Sequence, residues 1–154
     1  MPENTVVLAA DHAGYELKNT LKVVIEERGL KVLDLGAHNG DSIDYPDMAA
    51  ALAKALADGR AYRGVLVCGT GIGISIAANR HLHIRAALCH DVTTARLARQ
   101  HNDANVLAMG SRVLGPSVAR DCLEAFLDTP FEGGRHQRRV DKLSGAATSP
   151  DSNR

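Results

Sequence analysis

The sequence predicts an α/β fold, a Rossmann-like three-layer sandwich built on a five-stranded parallel sheet. Two observations carry this. Short apolar runs alternate with helix-compatible segments five times along the 154 residues. The runs are also near-continuously apolar, the pattern of strands covered on both faces rather than half-exposed ones. Right-handed crossovers between parallel strands then make the fold doubly wound.

The β-branched run Thr-Val-Val-Leu-Ala at residues 5–9 is the first strand. A helix over residues 15–28 follows, with Leu17, Leu21, Val24 and Ile25 on one face and Gly29 just past its end. Residues 31–35 form the second strand. Residues 36–46 form a polar loop, and Asp47 caps a helix running to about residue 57. The third strand, residues 63–68, meets a glycine-rich turn, and a helix begins near Gly73. Residues 85–88 form the fourth strand. Asp91 is placed to cap a helix reaching about Gln100. Residues 105–109 form the fifth strand, and Gly115-Pro116 opens a helix to about Leu127, with proline in the tolerated first turn. Beyond Pro130 the chain turns basic and glycine-containing. A short last helix ends near Leu143, and the small, polar residues 144–154 are expected to form a disordered tail.

Length suits one domain with a sizeable core. Eighteen basic and eighteen acidic residues cancel and aromatics make up 3% of the chain, so neither a nucleic-acid footprint nor a base-stacking platform is expected. No apolar run spans a bilayer and the first residues lack a secretory signature. Cys68, Cys89 and Cys122 are odd in number and far apart, which is not a disulfide framework. A reduced, cytoplasmic enzyme or binding protein is expected.

Ligands of doubly wound sheets sit at the carboxyl ends of the strands. Asp11-His12 ends the first strand and Cys68-Gly69-Thr70-Gly71-Ile72-Gly73 the third. Ser111-Arg112 follows the fifth. A thiol delivered onto a glycine turn, beside the N–H groups of a helix start, suits anion binding and a lowered thiol pKa. Cysteine alone is a small hydrophobe, and Cys89 and Cys122, without such context, read as core. The glycine spacing is not a dinucleotide fingerprint, and no Lys-Ser/Thr pair follows to make a phosphate-binding P-loop. Ile74 stands where a thiol phosphatase needs arginine, so the loop reads as an oxyanion or enediolate cradle. His101 follows Gln100 at a helix end, a position that also suits a dipole-complementing cation. Asp11-His12 also suits a simple loop cap. His81 and His83 form an HxH pair with no further ligands in sequence reach, so no metal and no cofactor are expected. Arg135 and Arg139, four apart, share a helical face that suits an anion clamp or a solvated basic surface.

Taken together, Ala10-Asp11-His12-Ala13-Gly14, Asp44-Tyr45-Pro46, the run from Cys68 to Asn79, the segment from Arg99 to Leu107, Gly110-Ser111-Arg112-Val113 and the segment from Phe131 to Val140 resemble the B-type ribose-5-phosphate isomerases. They resemble also the relatives of these enzymes, the galactose-6-phosphate isomerase subunits. The resemblance covers residues 5–143 and implies a single isomerase domain over residues 1–143. It implies that Cys68 takes the C2 proton of an open-chain aldose phosphate, usually ribose 5-phosphate. The N–H groups of Gly69, Thr70, Gly71, Ile72 and Gly73 would cradle the enediolate. Thr70 would assist ring opening or shuttle a proton between O1 and O2, and His101 would protonate the ring oxygen. Asp11 would contact sugar hydroxyls and assist. His12, Arg112, Arg135 and Arg139 would bind phosphate, and Asn102 the sugar. It further implies a homodimer, or a tetramer of two dimers, in which His101, Asn102 and Arg112 serve the neighbour's site. Some relatives place a carboxylate in the loop after the thiol, whereas residues 74–77 here are Ile-Ser-Ile-Ala. Arg80 to His83 depart from the family's usual small residue before Ile84.

Overall fold

A computed structural model describes residues 1–145. Five parallel strands, β1 (Thr5–Ala10), β2 (Lys31–Asp34), β3 (Arg63–Cys68), β4 (Ala86–Leu88) and β5 (Val106–Gly110), form one sheet in the order β2-β1-β3-β5-β4. The helices are α1 (Tyr15–Glu27), α2 (Tyr45–Ala57), α3 (Ile72–Ala78), α4 (Val92–Asn102), α5 (Pro116–Asp128) and α6 (Arg135–Leu143). The predicted sandwich is therefore present. The tail expected from Ser144 lies, from residue 146 on, outside the described residues.

The period-2 alternation of the strands sorts the core into two slabs. Val6, Leu8, Ala10, Val65, Val67, Leu107 and Met109 face α1, α4 and α5. Val7, Ala9, Leu66, Cys68, Val106 and Ala108 face α2 and α3. The central strands β1, β3 and β5 are buried almost throughout, which accounts for their uninterrupted apolar sequence.

Helix starts differ in detail from the expectation. Asp91 does cap α4, its side chain accepting the Thr94 N–H at 2.6 Å. Asp47 is not a cap: α2 starts at Tyr45, with Asp44 before it, Pro46 in the first turn and Asp47 just inside. Proline's fixed φ and missing N–H favour that earlier start. Helix α3 begins one residue before Gly73, behind Gly71 in the left-handed region at φ 77°. Helix α6 starts at Arg135 and so takes up both paired arginines.

The chain reverses direction across the sheet between β1 and β3. Their carboxyl ends open the crevice in which folds of this type hold ligands.

Candidate active site

At the carboxyl end of β1, Asp11 is buried and its Oδ1 accepts the Gly14 N–H at 3.1 Å, capping a single 3-10 turn. The loop-cap reading of Asp11 is thus correct for one of its oxygens. The Asp11 N–H donates to the Val67 carbonyl at 3.2 Å, which ties this turn to the strand leading into Cys68. A Cβ on Gly14 would meet the Val67 carbonyl oxygen at 2.5 Å, so only glycine lets the two segments approach. His12 is exposed, and its Nδ1 accepts the Ile43 N–H at 3.1 Å. In the neutral ring that bond leaves the proton on Nε2, a donor free for an anion.

Cys68 ends β3 and is buried, and its Sγ accepts the Gly71 N–H at 3.1 Å. The Ile72 N–H goes to Thr70 Oγ1 at 3.1 Å. Two of the five N–H groups expected to form the cradle therefore already have acceptors inside the loop. Gly71 is required twice over: its φ is positive, and a Cβ would lie 2.6 Å from Leu88 Cδ1 and 2.8 Å from the Met109 carbonyl carbon. A Cβ on Gly73 would lie 2.6 Å from the ring of Tyr45, which covers the turn from α2. Sequence reasoning quoted Tyr45 only as part of a motif. Its contact with the glycine turn depends on the packing of α2 against α3. The other two thiols are pushed up by burial, Cys122 to about 11, and remain core residues as expected.

Arg112 departs from its expected place. Its N–H donates to the Gly69 carbonyl at 2.9 Å, and its guanidinium lies 3.4 Å from where a Gly69 Cβ would stand. It therefore belongs to its own chain's thiol loop, not to a neighbour's. The residue follows β5, which runs beside β3 with Gly110 opposite Cys68.

His101 and Asn102 lie at the other end of the sheet. Helix α4 runs antiparallel to the strands, so its carboxyl end returns to their amino ends. Asn105 accepts the Gly64 N–H at 2.9 Å, at the start of β3. From there to Cys68 is about 13 Å of strand at ~3.3 Å per residue. Glu132 donates its N–H to the Gln100 carbonyl at 3.1 Å, which brings α6, with Arg135 and Arg139, to this same end. Both arginines are exposed, while His136 and Val140, one position further round the helix from each, are buried. One fold therefore holds two clusters of the expected site residues. Asp11, His12, Cys68, Thr70 and Arg112 lie at the carboxyl ends of the strands, and His101, Asn102, Arg135 and Arg139 at the amino ends.

The His81–His83 pair has another use: a ring nitrogen of His83 lies 2.7 Å from the Ala53 carbonyl oxygen, which anchors the Arg80–His83 turn on α2. A different group, His101, Glu132 and His136, gathers ligand-type atoms within 4.8 Å of one another. His101 and Glu132 stand 31 positions apart in the chain, which hid the group from sequence reading. The imidazoles of His101 and His136 stack at 4.4 Å with their planes 13° apart. Nearly parallel rings aim their lone pairs side by side, not at one point, so the arrangement as it stands is not that of two ligands on one ion.

Fold and site define a Rossmann-like α/β enzyme with imidazole and guanidinium side chains at both ends of a parallel sheet and a thiol and a carboxylate at one. The ribose/galactose isomerase family model matches residues 6–143. Ribose-5-phosphate isomerase B of Escherichia coli is 45% identical over 139 residues, covering 90% of this chain and 93% of that protein. D-erythrulose-4-phosphate isomerase of Pectobacterium atrosepticum is 44% identical over 140 residues, covering 90% and 92%. The solved structure of Clostridium thermocellum ribose-5-phosphate isomerase B superimposes with a TM-score of 0.90 at 44% identity, covering 92% of this chain and 96% of that one. The chain belongs to the ribose/galactose isomerase family, a family of aldose–ketose isomerases. Among the described residues no helix is long and apolar enough to cross a membrane.

Proposed function

We propose that this protein interconverts ribose 5-phosphate and ribulose 5-phosphate through a cis-enediol, without a metal, at a site assembled from two copies of the chain. The observation that carries the reading is the Cys68 thiol under the Gly71 N–H, at the crevice between β1 and β3. His101 of the partner subunit protonates the furanose ring oxygen as the anomeric hydroxyl gives its proton to the Asp11 carboxylate, which opens the ring. The Cys68 thiolate then takes the C2 proton, and the charge moves onto O1, where N–H groups of the Gly69–Gly73 loop stabilise it. Thr70 moves a proton between O1 and O2, Asp11 holds sugar hydroxyls, and the proton carried by Cys68 returns to C1. Bonds and protons balance, and no external oxidant or reductant enters.

Phosphate is held by His12 and Arg112 of one chain and by Arg135 and Arg139 of the other, with Asn102 on the sugar. Its binding energy orients the reacting end. The homodimer reading is supported by the division of these residues between opposite sheet ends. A two-fold arrangement sets each thiol half against the other chain's imidazole half, and makes two such sites. Exposed Ile72, Ile76, Leu82, Leu88 and Leu143 supply apolar surface for that contact. A single domain over residues 1–143 carries the activity. A cytoplasmic setting suits the three free thiols, and the balanced charge gives nucleic acid no handle.

A second reading keeps the chemistry on a four-carbon aldose phosphate and is favoured by the 44% identity to the erythrulose-4-phosphate isomerase. A coupled assay of four-, five- and six-carbon aldose phosphates, with and without chelator, decides. The first reading requires kcat/KM to be highest for ribose 5-phosphate and unchanged by chelator.

A further inference from the structure

His101 is only one member of its local cluster. Its side chain keeps 41% of its surface exposed, whereas His136, whose ring lies parallel beneath it at 4.4 Å, keeps 10%. The Glu132 carboxylate lies beside both rings without a hydrogen bond to either: its Oε1 is 3.9 Å from His101 Nε2 and 3.7 Å from His136 Nε2, so its charge favours a proton on the facing nitrogen. The backbone closes the arrangement, since the Glu132 N–H holds the Gln100 carbonyl and the His136 N–H holds the Gly133 carbonyl. A side chain two-fifths exposed at a helix end has several rotamers open to it. A flat ring against one face and a carboxylate beside one nitrogen remove most of them.

We propose that His136 is a positioning residue for His101: its buried ring backs the His101 imidazole, and with Glu132 it fixes the plane and tautomer presented to the sugar. This rests on the reading of His101 as the ring-opening acid. The charge environment suits the task. Burial, His101, Arg135 and Arg139 push the His136 pKa down against the pull of Glu132, a direction that favours the neutral ring. A neutral ring tolerates a cation stacked on its face; a second imidazolium would repel it.

The test uses full-length protein labelled with 15N at histidine, and the variants His136→Ala, His136→Phe and Glu132→Gln. Ring 15N shifts report the His101 tautomer directly, and kinetics with ribose 5-phosphate report its effect. His136→Ala is expected to spread the His101 signals toward a tautomer mixture. It should lower kcat between about tenfold and a hundredfold with KM little changed, as misplaced catalytic groups do. His136→Phe, which keeps the flat face, should recover most of that loss. Exposed Glu132 accepts substitution without touching the core, so Glu132→Gln remains informative if His136→Ala folds poorly. It should shift the tautomer while leaving the stack. Erythrose 4-phosphate, whose phosphorylated O4 cannot close a furanose ring, should be turned over equally by wild type and His136→Ala if it is accepted. Unchanged His101 signals and unchanged kcat in both His136→Ala and Glu132→Gln, or no rescue by phenylalanine where alanine is impaired, overturn the proposal. Full activity in His101→Gln would sink the acid role itself, while the 15N signals would still report whether His136 orders His101.

Discussion

The Gly71 N–H donates to Cys68 Sγ at 3.1 Å, a bond closed within a single turn of chain. The N–H dipole points its positive end at the sulfur, and Gly71 adopts the left-handed conformation that allows it. Cys68→Ala should therefore fold normally and bind sugar phosphate, with kcat lowered by about 10²–10⁴, the usual worth of a positioned base. Wild-type turnover in that variant would remove Cys68 from the chemistry.

The two clusters at opposite sheet ends predict complementation. Cys68→Ala and His101→Ala homodimers should each be nearly inactive. Co-refolded in equal amounts, half the dimers are mixed and each mixed dimer has one intact site, so about a quarter of wild-type activity should return. If both groups of a site came from one chain, mixing would restore nothing. Sedimentation run beside the assay checks that the dimer is the active species.

Two glycines of the same turn should behave differently. Gly71→Ala meets Leu88 and backbone at Met109 and is strained at positive φ, so a loss of about 3 kcal/mol or more is expected in a denaturant melt. Gly73→Ala meets only the exposed ring of Tyr45. That ring can swing aside, so the melt should move little while KM rises.

Lys18 is buried at 1% exposure, with its ammonium 2.6 Å and 2.8 Å from the Asp34 carboxylate oxygens. Burial pushes the Asp34 pKa up, but the bond from Lys18, the Gly36 N–H and the charges of Lys18 and Lys22 outweigh it and hold the carboxyl below its ordinary value. A folded-state pKa below the unfolded one gives stability that is present above about pH 4 and is lost as pH falls through the folded value. Asp34→Asn should flatten that acid limb. It should also cost about 3–5 kcal/mol near neutrality, because the Lys18 ammonium is left buried without its partner. A melt series from pH 3 to 7 reads both effects.

Much of this was legible in the chain because it depends on neighbours in sequence. Near-continuous apolar runs at residues 5–9 and 63–68 found β1 and β3, and Asp91 found the start of α4. The glycines after Cys68 announced a tight turn, which Gly71 makes at positive φ, and the four-residue spacing of Arg135 and Arg139 was realised in α6. The start of α2 was misplaced because two acids, Asp44 and Asp47, flank Pro46, and local propensity did not choose between them.

The sequence by itself determined the layers, the thiol turn and the inventory of acid, base and cation, because backbone propensity and side-chain period act over a few residues. Tertiary structure alone decided which of those groups meet. Helix α4 must run back against the strands to cover the sheet, and this carries His101 away from Cys68 of its own chain. Arg112 stays with the thiol because β5 lies parallel beside β3. His136 reaches His101 only because the loop after α5 folds back onto the end of α4. Such contacts join residues tens of positions apart, where no periodicity signals them and only packing of the finished core brings them together.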